Sequence, residues 1–163
     1  MVIPQKVIKF LDKSKVKYEI IRHKVVYTAY DKAATLRVKP SLIGKTLALK
    51  TDQDLAIVLI PGNKNLDKNK FRKIAKTMPT GRQAKKIDFI SEKVMKNKFK
   101  GIKIGAVPPF GEIWKFPTFV DRGLMKEKNV FVNSGIYEAS FKISPKVFEK
   151  LGAVFGSFSK SKK

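Results

Sequence analysis

Two strand-length apolar runs joined by three polar residues constrain this chain more than any other feature. In Ile43–Lys50, Ile43, Lys45, Leu47 and Leu49 share one face, and Gly44, Thr46 and Ala48 share the other, because side chains alternate along a strand. Asp52-Gln53-Asp54 supplies turn residues, and Leu55–Ile60 returns as a second apolar strand. Pro61-Gly62-Asn63 then stops it, so an antiparallel hairpin is expected. Its first strand carries one lysine, Lys45, on an otherwise apolar face. Burying that ammonium is costly unless it meets an anion or a hydrogen-bond acceptor.

The rest of the chain alternates short helices and strands. Pro4 suits a helix start, with Val7, Ile8 and Leu11 at helical spacing behind it. Tyr18–His23 reads as a strand, Asp31–Leu36 as a short helix that ends near Pro40, and Asp67–Thr77 as a helix that buries Phe71, Ile74 and Ala75. Lys86–Ile90 reads as a strand, and Ser91 caps a helix that runs to Lys98. Gly101–Phe110 is expected to pass from a strand into a Gly/Pro loop. Phe116–Val120, Val130–Asn133 and Ala139–Ile143 follow as strands. Ser144-Pro145 opens a last helix that holds Val147, Phe148 and Leu151, with Gly152 ending it. No repeat or linker is visible. The expectation is one α+β domain over residues 1–156, with a basic, frayed tail over 157–163.

Charge and composition narrow the function. Of 163 residues, 36 are Lys or Arg and 13 are Asp or Glu, a net charge of +23. A polyanionic partner therefore starts ahead, and nucleic acid is the commonest. Residues 64–103 alone hold 14 basic residues against Asp67, Asp88 and Glu92. Cysteine is absent, which excludes disulfides, Cys-ligated zinc, iron–sulfur clusters and cysteine nucleophiles. A Ser-His-Asp triad would rest on the single histidine, His23. No apolar run approaches the roughly 20 residues of a spanning helix. The opening MVIPQKVIKFLDK makes a poor signal peptide, so a cytoplasmic location is expected.

Three motifs carry possible chemistry. Gly44-Lys45-Thr46 invites a phosphate-loop reading, but Lys39 stands where that motif needs glycine, and LALK continues as a strand. Gly105-Ala106-Val107-Pro108-Pro109-Phe110-Gly111 is either a rigid turn or a loop that aims backbone N–H groups at a carbonyl oxygen or another anion. Asn133-Ser134-Gly135 is a turn whose small residues could border a pocket.

Taken in order, these segments resemble the YbaK / prolyl-tRNA synthetase-associated editing domain family. YEIIRHKVVYTAYDKAA (Tyr18–Ala34) is similar to the family's opening strand, its His, and the Tyr27-Thr28 segment before a helix. IGKTLALK places the family's lysine on Lys45, and LIPGNKNLDKNKFRKIA is similar to its strand, loop and helix start. GAVPPFG resembles the GxxxP loop, with its Gly on Gly105 and its Pro on Pro109. FPTFVDRGLM places an Asp on Asp121, and VFVNSGIYEASFKISPKVFEKLGAVFG resembles the closing strands and helix.

The resemblance implies a compact α+β domain with a mixed, largely antiparallel, barrel-like sheet surrounded by helices. It implies an aminoacyl-tRNA deacylase, which hydrolyses the ester of mischarged tRNA without metal or cofactor, and a small amino acid as the group removed. Lys45 and Gly105 would carry the chemistry. Tyr27, Thr28, Ala106, Val107, Pro108, Pro109, Phe110, Asp121, Ser134 and Gly135 would contact substrate. The implied partners are aminoacyl-tRNA and an aminoacyl-tRNA synthetase, with neither membrane nor DNA expected. Where some members carry a His after the glycine turn, this chain has Ile136, Tyr137, Glu138 and Ala139. The alternative is a non-catalytic basic RNA-binding module on the same fold.

Overall fold

A computed structural model describes residues 2–52, 54–75 and 86–162. Its elements run α1 (Gln5–Lys13), β1 (Glu19–Arg22), α2 (Ala29–Leu36), β2 (Gly44–Thr51), β3 (Asp54–Pro61), β4 (Lys64–Leu66), α3 (Lys68–Ile74), β5 (Ile87–Phe89), α4 (Glu92–Lys98), β6 (Thr118–Asp121), α5 (Arg122–Met125), β7 (Val130–Asn133), β8 (Ala139–Ile143), α6 (Lys146–Lys150), β9 (Val154–Gly156) and β10 (Ser159–Ser161). The expected hairpin forms: β2 and β3 pair antiparallel from Gly44↔Pro61 to Thr51↔Asp54. They are central in a five-stranded sheet of order β5-β2-β3-β6-β9, in which β3–β6 and β6–β9 are parallel. A three-stranded antiparallel sheet, β1-β8-β7, and a β10-β4 ribbon complete the strands.

The alternation read from the sequence sets the two faces of the hairpin. Leu49, Val58, Ile60 and the flanking Leu47 pack with Phe71 of α3, Phe119 and Phe158. On the opposite face, Leu59 joins Val7 and Leu11 of α1, Phe141 of β8 and Phe148 of α6, while Ala48 and Ile57 pack with Phe99. A separate small cluster of Ala33, Ile43 and Phe131 seats α2.

The two larger sheets meet at one parallel bridge, Ile43↔Phe131. The expected barrel-like closure is not observed. Among the described residues, one bridge joins the sheets at a corner, and outer strands β5 and β9 pair on one side only. Two further expectations need correction. Gly101–Phe110 contains no strand: Gly101 and Gly105 have φ of 84° and 83°, and Pro108 and Pro109 have no N–H to give a ladder. The tail does not fray through residue 162. Phe158 is fully buried, its ring stands edge-on to Phe71 at 5.5 Å, and β10 pairs with β4. One aromatic residue in a polar stretch anchors the segment. The α3 helix ends at Ile74, and Lys76 and Thr77 of the longer expected helix lie outside the described residues.

Phe71 therefore couples α3, the central sheet and the tail. Truncation to Phe71→Ala is expected to cost about 3–5 kcal/mol. Urea denaturation followed by circular dichroism checks this.

Candidate functional site

The site grows out of the corner where the sheets meet. At Gly44 a Cβ would lie 3.0 Å from Leu59 Cδ1 and 3.0 Å from Val132 Cγ1, so β2 approaches β7 closely here and any side chain at 44 is crowded. Beyond this contact, the start of β2, the N-terminal turn of α2, the 105–106 loop and the turn after β7 surround a cavity of about 430 Å³. Lys45 and Gly105, sixty positions apart, both line it, with Tyr27, Thr28 and Ala106.

Lys45 is half-buried, and its Nζ donates to the Lys64 carbonyl at 2.7 Å. Burial first, and the nearby charge of Lys162 second, hold its pKa below the usual lysine value. Thr28 caps α2 by accepting from the Asp31 N–H at 3.1 Å. Tyr27 stays largely exposed, with its ring edge-on to Tyr137 at 4.8 Å.

Gly105, at φ 83°, has nothing within 4 Å of the position a Cβ would take. The space beside it is open, and a side chain would both strain the backbone and enter the cavity. Ala106 N–H is spent on the Lys103 carbonyl at 3.0 Å. Gly105 N–H has no partner among the described residues. The loop is held from behind. Asn133 Nδ2 donates to the carbonyls of Gly105 and Val107, each at 3.3 Å, and the Tyr137 hydroxyl donates to the Ile104 carbonyl at 2.6 Å. Thr46 Oγ1 is buried on the cavity wall without a partner among the described residues.

The other expected site residues lie outside the cavity lining. Val107 and Phe110 are core residues, and Pro108 and Pro109 are buried in the same loop. Asp121 is buried, and its two oxygens accept from the Gly123 and Phe158 N–H groups at 2.8 and 2.9 Å. Ser134 Oγ donates to the Ala139 carbonyl at 2.6 Å, and Gly135 faces Pro4 and Ile102. His23 is also off the lining. Its Nδ1 faces the Lys24 carbonyl at 2.7 Å and so carries the proton, leaving Nε2 to accept from Ser140 Oγ at 2.9 Å. Burial, the largest influence, lowers its pKa and favours this neutral form.

The structure adds residues the sequence reading passed over. Lys32 lines the cavity at 6% exposure, and its Nζ donates to Asn133 Oδ1 at 2.8 Å. Burial pushes its pKa down to about 8. A signal existed: Ala29, Lys32, Ala33 and Leu36 recur at helical spacing, so Lys32 stands on the apolar stripe of α2. Asn133 and Tyr137 also line the cavity, as do Tyr30 and Lys162, whose Nζ lies 4.2 Å from the centre of the Tyr30 ring. Among the described residues, no Asp or Glu lines it.

The sequence and fold match a known family. The model of the aminoacyl-tRNA editing domain covers residues 23–151, and the chain belongs to that family. No curated protein matches it by sequence. Among solved structures, the hypothetical protein APE2540 superposes with a TM-score of 0.83 at 26% identity, over 95% of this chain and 99% of that one. A protein described as a candidate trans-editing enzyme for prolyl tRNA synthetase gives a TM-score of 0.79 at 20% identity, over 96% of each chain. A candidate signal transduction protein from Marinobacter aquaeolei VT8 gives 0.68 at 17% identity, over 97% of this chain but 31% of its own. The last two likenesses speak to the fold. Among the described residues, no helix is long and apolar enough to cross a membrane.

Two outcomes follow from these contacts. Removing both acceptors in Asp121→Ala leaves two N–H groups without partners, and is expected to lower stability by about 1–3 kcal/mol in urea denaturation. Lys32 gives stability a pH dependence. Its folded pKa of about 8 lies below the unfolded value of 10.5, so between them the unfolded chain binds more protons, and stability rises with pH. The burial penalty is full below pH 8 and gone above about 10.5. Relative to Lys32→Met, the wild-type chain should gain on the order of 3 kcal/mol across that window, as read by denaturation at each pH.

Proposed function

We propose that this chain hydrolyses the ester joining a wrong amino acid to the 3′ end of a tRNA. The observation that carries this reading is that Lys45 and Gly105 line one cavity with no carboxylate on its wall among the described residues. An activated ester needs a positioned water and stabilisation of a developing oxyanion more than a strong protein nucleophile. The site offers a cation, a free main-chain donor and space.

In this mechanism Lys45 holds the phosphate or ribose of the terminal nucleotide, with Lys162 adding positive charge at the same opening. The ester carbonyl faces the 105–106 loop, where Gly105 N–H donates to the oxygen as it becomes negative. Water adds to the carbonyl carbon, assisted by a hydroxyl of the terminal ribose. The carbon–oxygen ester bond then breaks. The electron pair and a proton go to the ribose oxygen, which releases the amino acid and a free tRNA end. Asn133 and Tyr137 act by positioning, since they fix the carbonyls of the loop and thereby the direction of its N–H groups. The net charge of +23 favours a direct grip on the tRNA backbone. A synthetase partner is compatible with the same reading.

Lys45→Ala is expected to lower kcat/KM for mischarged tRNA by about 100-fold, on the scale of one lost charge-assisted contact. A deacylation assay over several mischarged tRNAs checks it. Undiminished turnover removes Lys45 from the mechanism. Binding of tRNA without turnover of any ester would leave a non-catalytic RNA-binding module.

A further inference from the structure

Among the described residues, Lys32 is the one strongly buried cation of the site, and the mechanism above does not use it. It occupies an apolar position on α2, between Ala29 and Leu36 at the preceding and following turns. An ammonium group carries three N–H donors. Among the described residues, Lys32 Nζ has a single acceptor, the neutral side chain of Asn133 at 2.8 Å. Among those residues it makes no ion pair. Among the described residues, the wall around it holds Lys45 and Lys162 as further cations and no Asp or Glu. A buried cation with unused donors and no counterion is expensive. A residue at this position with an apolar side chain would fit the stripe better.

The cost is offset if substrate brings the missing anion. Two anionic groups are conceivable on an aminoacyl-tRNA end: a backbone phosphate and a side-chain carboxylate. Burial separates them. Lys45 is half-buried, and Lys162 is exposed beside the exposed Tyr30, so the bulky, hydrated phosphates belong with those two. Lys32, at 6% exposure, sits behind them. It is one side chain removed from the 105–107 loop, because Asn133 contacts both. That is where the aminoacyl group lies if the loop holds the ester carbonyl.

We propose that Lys32 makes the cavity selective for an aminoacyl group with a side-chain carboxylate, aspartyl above all. This rests on the deacylase reading. The carboxylate accepts from the N–H groups of Lys32 that Asn133 leaves unused, and Thr46 Oγ1, buried on the same wall without a partner among the described residues, is a further donor in the cavity. Asparaginyl is the decisive comparison. It has the same size and shape but no charge, so it leaves the ammonium unneutralised.

The test has two arms. In the first, hydrolysis of aspartyl-, asparaginyl- and alanyl-tRNA is compared for the wild-type chain and for Lys32→Gln, which keeps a donor for Asn133 without the charge. The wild type is expected to favour aspartyl over asparaginyl by about 10-fold or more in kcat/KM, as a charge-assisted pair implies. In Lys32→Gln the ratio should fall close to one. In the second, 3′-aspartylamido-3′-deoxyadenosine and its asparaginyl counterpart are titrated into the wild type by calorimetry, with the aspartyl compound expected to bind more tightly. Preference for asparaginyl or alanyl ester, or an unchanged ratio in Lys32→Gln, overturns the proposal and leaves the deacylase reading standing. Turnover of no ester defeats the deacylase reading instead, and calorimetry still decides on Lys32, with equal binding of the two compounds overturning its role. If Lys32→Gln fails to fold, the wild-type comparisons decide alone.

Discussion

The close approach of β2 to β7 at Gly44 is the contact on which the site depends. The Ile43↔Phe131 bridge is parallel. Two residues further along each strand, Lys45 and Asn133 line the same cavity, one from each sheet. Neither residue belongs to the other's sheet, and no local propensity brings them together. A bulkier residue at 44 would press on Leu59 and Val132, and where those side chains cannot give, the sheets must separate. The cation that would hold the tRNA end would then part from the amide that holds the 105–107 loop.

Around that corner the chain concentrates unneutralised positive charge. Lys45 and Lys32 each have a neutral oxygen as acceptor, and burial lowers the pKa of both. Folding alone does not reward such an arrangement, since each ammonium gives up water for a single neutral partner. The arrangement suits a ligand that carries the opposite charge. The loop across the cavity is treated differently. Its carbonyls are tied back by Asn133 and Tyr137, and its flanking prolines are buried, so Gly105 presents a fixed donor without further ordering. Preorganisation of that kind is what an oxyanion requires.

Much of this was legible in the residues. The period-2 pattern of Ile43–Ile60 specified the hairpin, its two faces and the odd placement of Lys45. The ordered segments specified the family, and the Gly105 loop was singled out by its glycines and prolines. What could not be read was which residues of that loop turn inward. Pro108, Pro109 and Phe110 are spent on burial, because the chain reverses at Gly105 and the rest of the motif enters the core. Asp121 looked like a site carboxylate, yet it satisfies two main-chain N–H groups, one of them at Phe158 in a tail that reads as polar. Lys32 was hidden among many lysines. Only its helical phase distinguishes it, and that phase matters only once Asn133 is known to lie opposite.

The most direct measurement of the central claim is an amide chemical-shift map of the labelled protein titrated with a non-hydrolysable 3′-aminoacylamido-adenosine. The account predicts saturable shifts at Gly44, Lys45, Gly105, Ala106 and Asn133, in two stretches of chain that meet only in this fold. Shifts confined to the separate lysine-lined groove around Lys15, Lys17, Lys142 and Lys150, with Gly105 and Lys45 unmoved, would contradict it.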